Sequence, residues 1–184
     1  MNAPTQPLRR HFLRHTATVA AVGVVPGLAT PARAALAGAR DLAMAHTHTH
    51  EQLDLVYAVH ERYLPESLGR LNRFLRDHYS GEVGQMDPQL FDLLHRVRQM
   101  LGSTAAFEII SGYRSAQTNA MLRGASGGVA SRSLHMDGRA VDVRITDLPT
   151  PTLRSAAVAL RAGGVGYYAT SDFVHLDTGR VRTW

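Results

Sequence analysis

The sequence predicts an α+β fold, and three observations point to it. Two amphipathic helical stripes fall within residues 65–101, strand-like alternation gathers after residue 138, and no regular β-α-β-α rhythm links them. The 184 residues suit one domain together with a targeting segment, and an apolar content of 45% is enough for a real core.

The first 34 residues read as an address rather than as fold. A polar, basic start is followed by a small-residue apolar run from about Ala17 to Ala29, and Ala32-Arg33-Ala34 supplies a small-x-small cleavage pattern. The run is too short, and too rich in Gly, Thr and Pro, for a comfortable transmembrane helix. Arg9-Arg10-His11-Phe12-Leu13-Arg14 resembles the twin-arginine export motif. The expectation is a signal peptide over 1–34, export to the periplasm by the twin-arginine route, and a mature domain over 35–184 with no membrane attachment after cleavage.

Leu42 to Tyr57 alternates loosely and holds β-branched residues, which predicts a strand or hairpin. His46, His48 and His50 recur at period two and share one face if that segment is extended. They form either a three-histidine metal site or a half-exposed strand, and the strand is the simpler reading. Pro65 to Tyr79 carries a helical stripe opened by proline. Asp87 to Leu101 is a clearer helix, with Asp87 as N-cap, Pro88 at the first helical position and Gly102 as the stop. Phe107 to Ser111 reads as a short buried strand, and a Gly turn leads into a helix over Ala116 to Arg123. The Gly/Ser-rich stretch GASGGVASRS reads as a loop. Gly138 to Ile145 is a strand, Pro151 to Ala162 a helix, and Val165 to Tyr168 and Phe173 to Asp177 are two further strands.

Charge and cysteine usage narrow the chemistry. The net charge is +5, but Arg9, Arg10, Arg14 and Arg33 all lie in the first 34 residues, which hold no acid. Without those four of the 20 basic residues, 16 remain against 15 acidic ones, scattered and without an aromatic-interleaved basic stripe. Nucleic acid is therefore excluded as a partner. There is no cysteine. Any metal must be held by His and carboxylate, and any nucleophile must be Ser, Thr or an activated water.

Two stretches converge on such a site. In the strand from Gly138, Val141, Val143 and Ile145 form a core face, leaving Ala140, Asp142 and Arg144 on the other. His135 precedes this strand, and Gly138 lets the backbone bend its imidazole back towards Asp142. In the last strand, Phe173, His175 and Asp177 share one face. If the two strands are neighbours, His135, Asp142 and His175 make a three-ligand zinc set with a fourth position open for water, the mark of a catalytic site.

These residues also carry a resemblance. Ser133-x-His135-x-x-Gly138-x-Ala140-x-Asp142, followed by His175 on a later strand, resembles the zinc peptidases of the D-Ala-D-Ala carboxypeptidase group, which share a fold with the hedgehog signalling domain. SGYRS at Ser111 to Ser115, GGVGYY at Gly163 to Tyr168 and FVHLDTG near a C-terminal Trp are similar to the murein endopeptidase K branch. The similarity spans roughly Asp41 to Trp184.

The resemblance implies an antiparallel sheet carrying a zinc site and flanked by helices, with His135, Asp142 and His175 as ligands. It makes Arg114 a candidate to bind a substrate carboxylate or to polarise the scissile carbonyl. That fits a guanidinium that follows a strand and a Gly turn. Asp172, three residues before the last ligand, is a candidate general base. Asp177 is its rival, with orientation of an imidazole as its simpler role. The implied activity is a periplasmic zinc-dependent murein endopeptidase that cuts peptide cross-links of peptidoglycan with a metal-activated water, its partners being the stem peptides. A non-catalytic zinc module of the same fold that binds wall peptide or a protein partner is the alternative.

Overall fold

A computed structural model describes residues 38–125 and 130–184. The expected signal peptide over 1–34, and the centre of the Gly/Ser-rich stretch, lie outside the described residues. The element order is β1 (Ala39–His46), β2 (Gln52–Val59), β3 (Arg62–Tyr63), α1 (Pro65–Phe74), α2 (Pro88–Leu101), β4 (Phe107–Ser111), α3 (Ala116–Ala125), β5 (Ala140–Ile145), α4 (Thr150–Leu160), β6 (Gly164–Tyr168), β7 (Phe173–Asp177) and β8 (Arg182–Thr183). All strands join one sheet in the order β3-β2-β1-β4-β5-β7-β6-β8.

The α+β class holds, but the sheet is mixed rather than antiparallel. β1 runs parallel to β4, and β6 parallel to β8; the other neighbours are antiparallel. The reason is connectivity. The segment between β1 and β4 holds the β2–β3 excursion and two helices, long enough for the crossover that a parallel pair requires. β8 leaves a reversed β7 and so realigns with β6.

The N-terminal hairpin also means that strands do not simply cluster late. β1 and β2 pair along their length, with His46 ending β1 and His48 and His50 in the connecting turn. His50 has a positive φ of 59°. The three histidines therefore do not share one strand face.

α1 ends at Phe74, short of the expected Tyr79, because Asp77 captures the backbone instead. Its carboxylate accepts from the N–H groups of Tyr79 and Ser80, and its carbonyl from that of Gly81. α2 has the expected ends: Asp87 accepts from the N–H of Gln89 at 3.0 Å, and Gly102 adopts the left-handed conformation.

The alternation read in the sequence divides the sheet into a dry face and an open face. Leu42, Met44, Ile109, Val141, Val143, Val174 and Leu176 pack with Leu71, Phe91, Leu94 and Leu153 of the helices into one core. A bulge in β4 between Ile109 and Ser111 puts Ile109 opposite Val143 on the dry side but Ser111 opposite Asp142 on the open side. Glu108, Ser111, Asp142, Arg144 and His175 thus line up on the open face.

Candidate metal centre

Asp142 and His175 are direct cross-strand partners on β5 and β7. His135 comes from a tight turn before β5, closed by Met136 N–H on the Ser133 carbonyl and Arg139 N–H on the Leu134 carbonyl. Gly138 makes that turn possible: its φ is +66°, and a Cβ there would collide with the Gln85 carbonyl oxygen.

The three side chains point one atom each at a common position. His135 Nε2 lies 3.2 Å from His175 Nδ1 and 3.3 Å from Asp142 Oδ1, and His175 Nδ1 is 2.9 Å from Asp142 Oδ1. Ligands about 2.0–2.2 Å from a tetrahedral zinc stand about 3.4 Å from one another, so these separations suit an ion of that size. The outer ring nitrogens are engaged elsewhere. His135 Nδ1–H donates to the Gly112 carbonyl at 2.7 Å, and His175 Nε2–H donates to Asp177 Oδ2 at 3.1 Å. In the neutral form of each ring the inner nitrogen therefore has its lone pair facing the common position. Among the described residues this is the one group of three such side chains that converges.

The electrostatics favour a cation at that point. Burial alone would raise the Asp142 carboxyl, but the neighbouring His135 and His175 hold it well below the usual carboxylate range. Burial pushes His175 down, yet its bonds to Asp142 and Asp177 prevail and raise it to about 9. Two carboxylates flanking one imidazole reward positive charge there, whether proton or metal.

Asp177 is 0% exposed, and all its acceptor capacity is used. Oδ1 accepts from the N–H groups of Gly164 and Gly179 and from Arg182, and Oδ2 from Arg182 and His175. It stands behind His175, not in the cleft. Asp172 is not brought to the cluster at all. It sits at the β6–β7 turn with φ +51°, accepts the Thr150 hydroxyl, and faces Arg144 in a neighbouring cleft.

Arg114 does reach the centre. Its Nη2 donates to Ser111 Oγ at 3.3 Å and lies 3.6 Å from Asp142 Oδ2. Its backbone N–H is tied to the His135 carbonyl. The loop on either side is held by the segment after α1: Tyr113 N–H bonds the Leu75 carbonyl at 2.7 Å, and Ser115 N–H bonds Asp77 Oδ2 at 2.9 Å. Asp77 is 1% exposed. Burial would raise it, but bonds from Thr118, Ser115 and Tyr79 keep it below the usual carboxylate range. The same segment continues to Gln85, beneath Gly138, and to Asp87, whose N–H bonds the Gly138 carbonyl and whose carboxylate accepts the Thr178 hydroxyl at 2.7 Å.

Asp77 escaped the sequence reading, although Asp followed by Tyr, Ser and Gly within a few residues is a turn signal. The aromatic wall of the cleft escaped it too. Tyr168 and Phe173 stack at 4.6 Å, Trp184 lies 5.3 Å from the His175 ring, and Trp184 Nε1–H donates to the Tyr168 hydroxyl. Gly166, opposite His175, leaves room for the Trp184 ring, which a Cβ would meet at 2.6 Å. With Arg114 and Ser133 these groups bound a cavity of about 520 Å³ over the three candidate ligands.

The N-terminal histidines form a separate group. His46 packs against Phe74, and His48 stacks on His78 with rings 4.2 Å apart and 2° from parallel. A metal lies in the plane of a coordinating ring, so two stacked imidazoles do not share one ion. His46 Nδ1 instead accepts the backbone N–H of His48 and Thr49, which makes it a cap for the hairpin turn.

Comparison with known proteins identifies the family. The family model described as peptidoglycan L,D-endopeptidase MepK matches residues 34–184. The peptidoglycan L,D-endopeptidase MepK of Escherichia coli (strain K12) is 43% identical over 159 residues, covering 85% of this chain and 87% of that protein. The probable peptidoglycan L,D-endopeptidase MepK of Haemophilus influenzae is 44% identical over 146 residues, covering 79% and 78%. The chain belongs to the MepK family and is a peptidase.

Proposed function

We propose that this chain is a periplasmic, zinc-dependent peptidoglycan L,D-endopeptidase, exported by the twin-arginine signal over residues 1–34 and folded over 35–184. The observation that carries the reading is the convergence of His135 Nε2, Asp142 Oδ1 and His175 Nδ1 while both outer ring nitrogens are engaged. The names of the relatives supply the substrate class.

Zinc held by these three atoms supplies Lewis acidity, which polarises a carbonyl and lowers the pKa of a water. The chain's own groups do the rest. Arg114, the cation beside the Asp142 carboxylate, takes the negative charge that develops on the scissile carbonyl oxygen or the carboxylate of a neighbouring D-centre. Asp177 keeps the proton of His175 on Nε2 and so keeps Nδ1 a ligand. Tyr168, Phe173 and Trp184 give the cleft an aromatic wall against which a peptide can pack. Asp177 is thus a positioning residue, and neither it nor Asp172 stands where a proton acceptor in the cleft would.

The test uses the mature chain and purified sacculi. Wild type should hold about one zinc per chain and release muropeptides cut at L,D cross-links, whereas His175→Ala should lose both the metal and the cleavage. Full release by the zinc-free variant overturns the mechanism. Zinc-loaded wild type that binds sacculi without cutting them selects the non-catalytic module instead.

A further inference from the structure

The open face carries a second cleft, of about 350 Å³, next to the metal centre. β5 places Asp142 and Arg144 on that same face two residues apart, hence about 7 Å along the strand. Glu108 of β4 lies opposite Arg144 in register and bonds its Nε. The start of α4 contributes Thr150, and the β6–β7 turn contributes Asp172. Four separate segments therefore meet around one mixed-charge space.

The two exposed charges in it form an ion pair without a direct hydrogen bond, so a ligand can enter between them. Arg144 Nη1 stands 3.8 Å from Asp172 Oδ2, beyond hydrogen-bond reach, and their side chains are 39% and 62% exposed. The left-handed backbone at Asp172 and the Thr150 hydroxyl on its Oδ1 fix the carboxylate in place while leaving Oδ2 towards the cleft. A guanidinium edge and a carboxylate oxygen at that spacing match a group that carries –COO⁻ and –NH₃⁺ on one carbon.

We propose that this cleft is a subsite for the zwitterionic amino-acid head group of the substrate, with Arg144 taking its carboxylate and Asp172 its ammonium. The inference rests on the endopeptidase reading. Where the residue on the carbonyl side of an L,D cross-link is a diamino diacid, its side chain ends in a second, free amino-acid centre. That head group can occupy the neighbouring cleft while the scissile carbonyl lies over the metal ligands. Asp172 then contributes to recognition, not to proton transfer, and Glu108 holds the Arg144 fork in line.

The zinc-loaded mature chain and a purified cross-linked muropeptide test this, with the free side-chain amine either intact or acetylated. For wild type, acetylation should raise KM about tenfold or more with kcat within about threefold, the loss expected for one charge-assisted contact. Asp172→Asn should show the same rise on the intact substrate and no further rise on the acetylated one, and Asp172→Glu should restore part of it. A large fall in kcat at unchanged KM for Asp172→Asn, or wild type indifferent to acetylation, overturns the proposal. If wild type cuts nothing, the endopeptidase reading fails on its own. The subsite is then judged by calorimetric binding of the uncross-linked stem tripeptide: about tenfold weaker binding to Asp172→Asn upholds it, and equal binding overturns it. A thermal melt of each variant separates lost folding from lost recognition.

Discussion

His175 and Asp177 stand two residues apart on one face of β7, with the imidazole Nε2 3.1 Å from a carboxylate oxygen that has no contact with solvent. The strand itself sets this distance, so the tautomer of a candidate metal ligand is fixed by local geometry. Asp177→Asn should weaken zinc binding about 10- to 100-fold, because the bond that presents Nδ1 is weakened. Competition with a chromogenic chelator measures the affinity. Saturating zinc should return most of the turnover, which a directly catalytic carboxylate would not allow.

Asp77 acts on the cleft from outside it. Asn at position 77 keeps one acceptor oxygen and turns an NH₂ towards a backbone donor, so either the turn or Ser115 N–H loses its partner. The expected stability cost is about 1–3 kcal/mol. If Asp77 works by aiming Arg114, Asp77→Asn should lower kcat/KM in the wild-type background and have little further effect in Arg114→Ala. Multiplicative losses, with zinc content unchanged, would make it a purely structural residue.

His46 gives the fold a pH limit. Burial, and then the neighbouring His78, His48 and Arg76, lower it from 6.5 to about 4, against a small opposing effect of Glu51. Its folded pKa is thus below its unfolded one, so the unfolded chain binds the extra proton. This contribution is complete above pH 6.5 and is lost as pH falls from 6.5 towards 4, by about 3 kcal/mol in all. Urea unfolding between pH 6.5 and 4.5 checks this, because the raised His175 changes stability mainly between pH 6.5 and 9 and the lowered His78 acts in the same direction as His46. The low-lying carboxyls of Asp77, Asp142 and Asp177 act only below that window.

Gly138→Ala should be far more damaging than a surface Gly→Ala change. The added Cβ meets the Gln85 carbonyl, and the residue must keep a positive φ. The expected cost is about 2–4 kcal/mol, with zinc affinity falling as the His135 turn shifts. Wild-type melting temperature and zinc content in this variant would refute the role given to the turn.

The parts of this molecule that follow local rules were legible in the sequence. Asp87, Pro88 and Gly102 announce the ends of α2, and the valines of β5 announce which face carries Asp142. Pairing Asp142 with His175 needed only the assumption that β5 and β7 are neighbours. What was hidden depends on non-local geometry. The parallel β1–β4 pair leaves no local mark, since alternation looks alike in either direction. The period-two histidines looked like one face until the hairpin turn took two of them. The left-handed backbone at Asp172 aims its carboxylate along the sheet rather than at His175, and a position three residues before a ligand says nothing about that.

Connecting segments usually tolerate insertions, because little depends on their path. Residues 75–87 invert that expectation. This stretch supplies no ligand, yet it holds the Arg114 loop through Leu75 and Asp77, the His135 turn through Gln85 and Asp87, and the end of β7 through Thr178. For anyone re-engineering the enzyme, this irregular connector is a forbidding place to graft new sequence. Lengthening it by even one residue would detune the Arg114 loop and the His135 turn at once while leaving the three ligand positions untouched on paper.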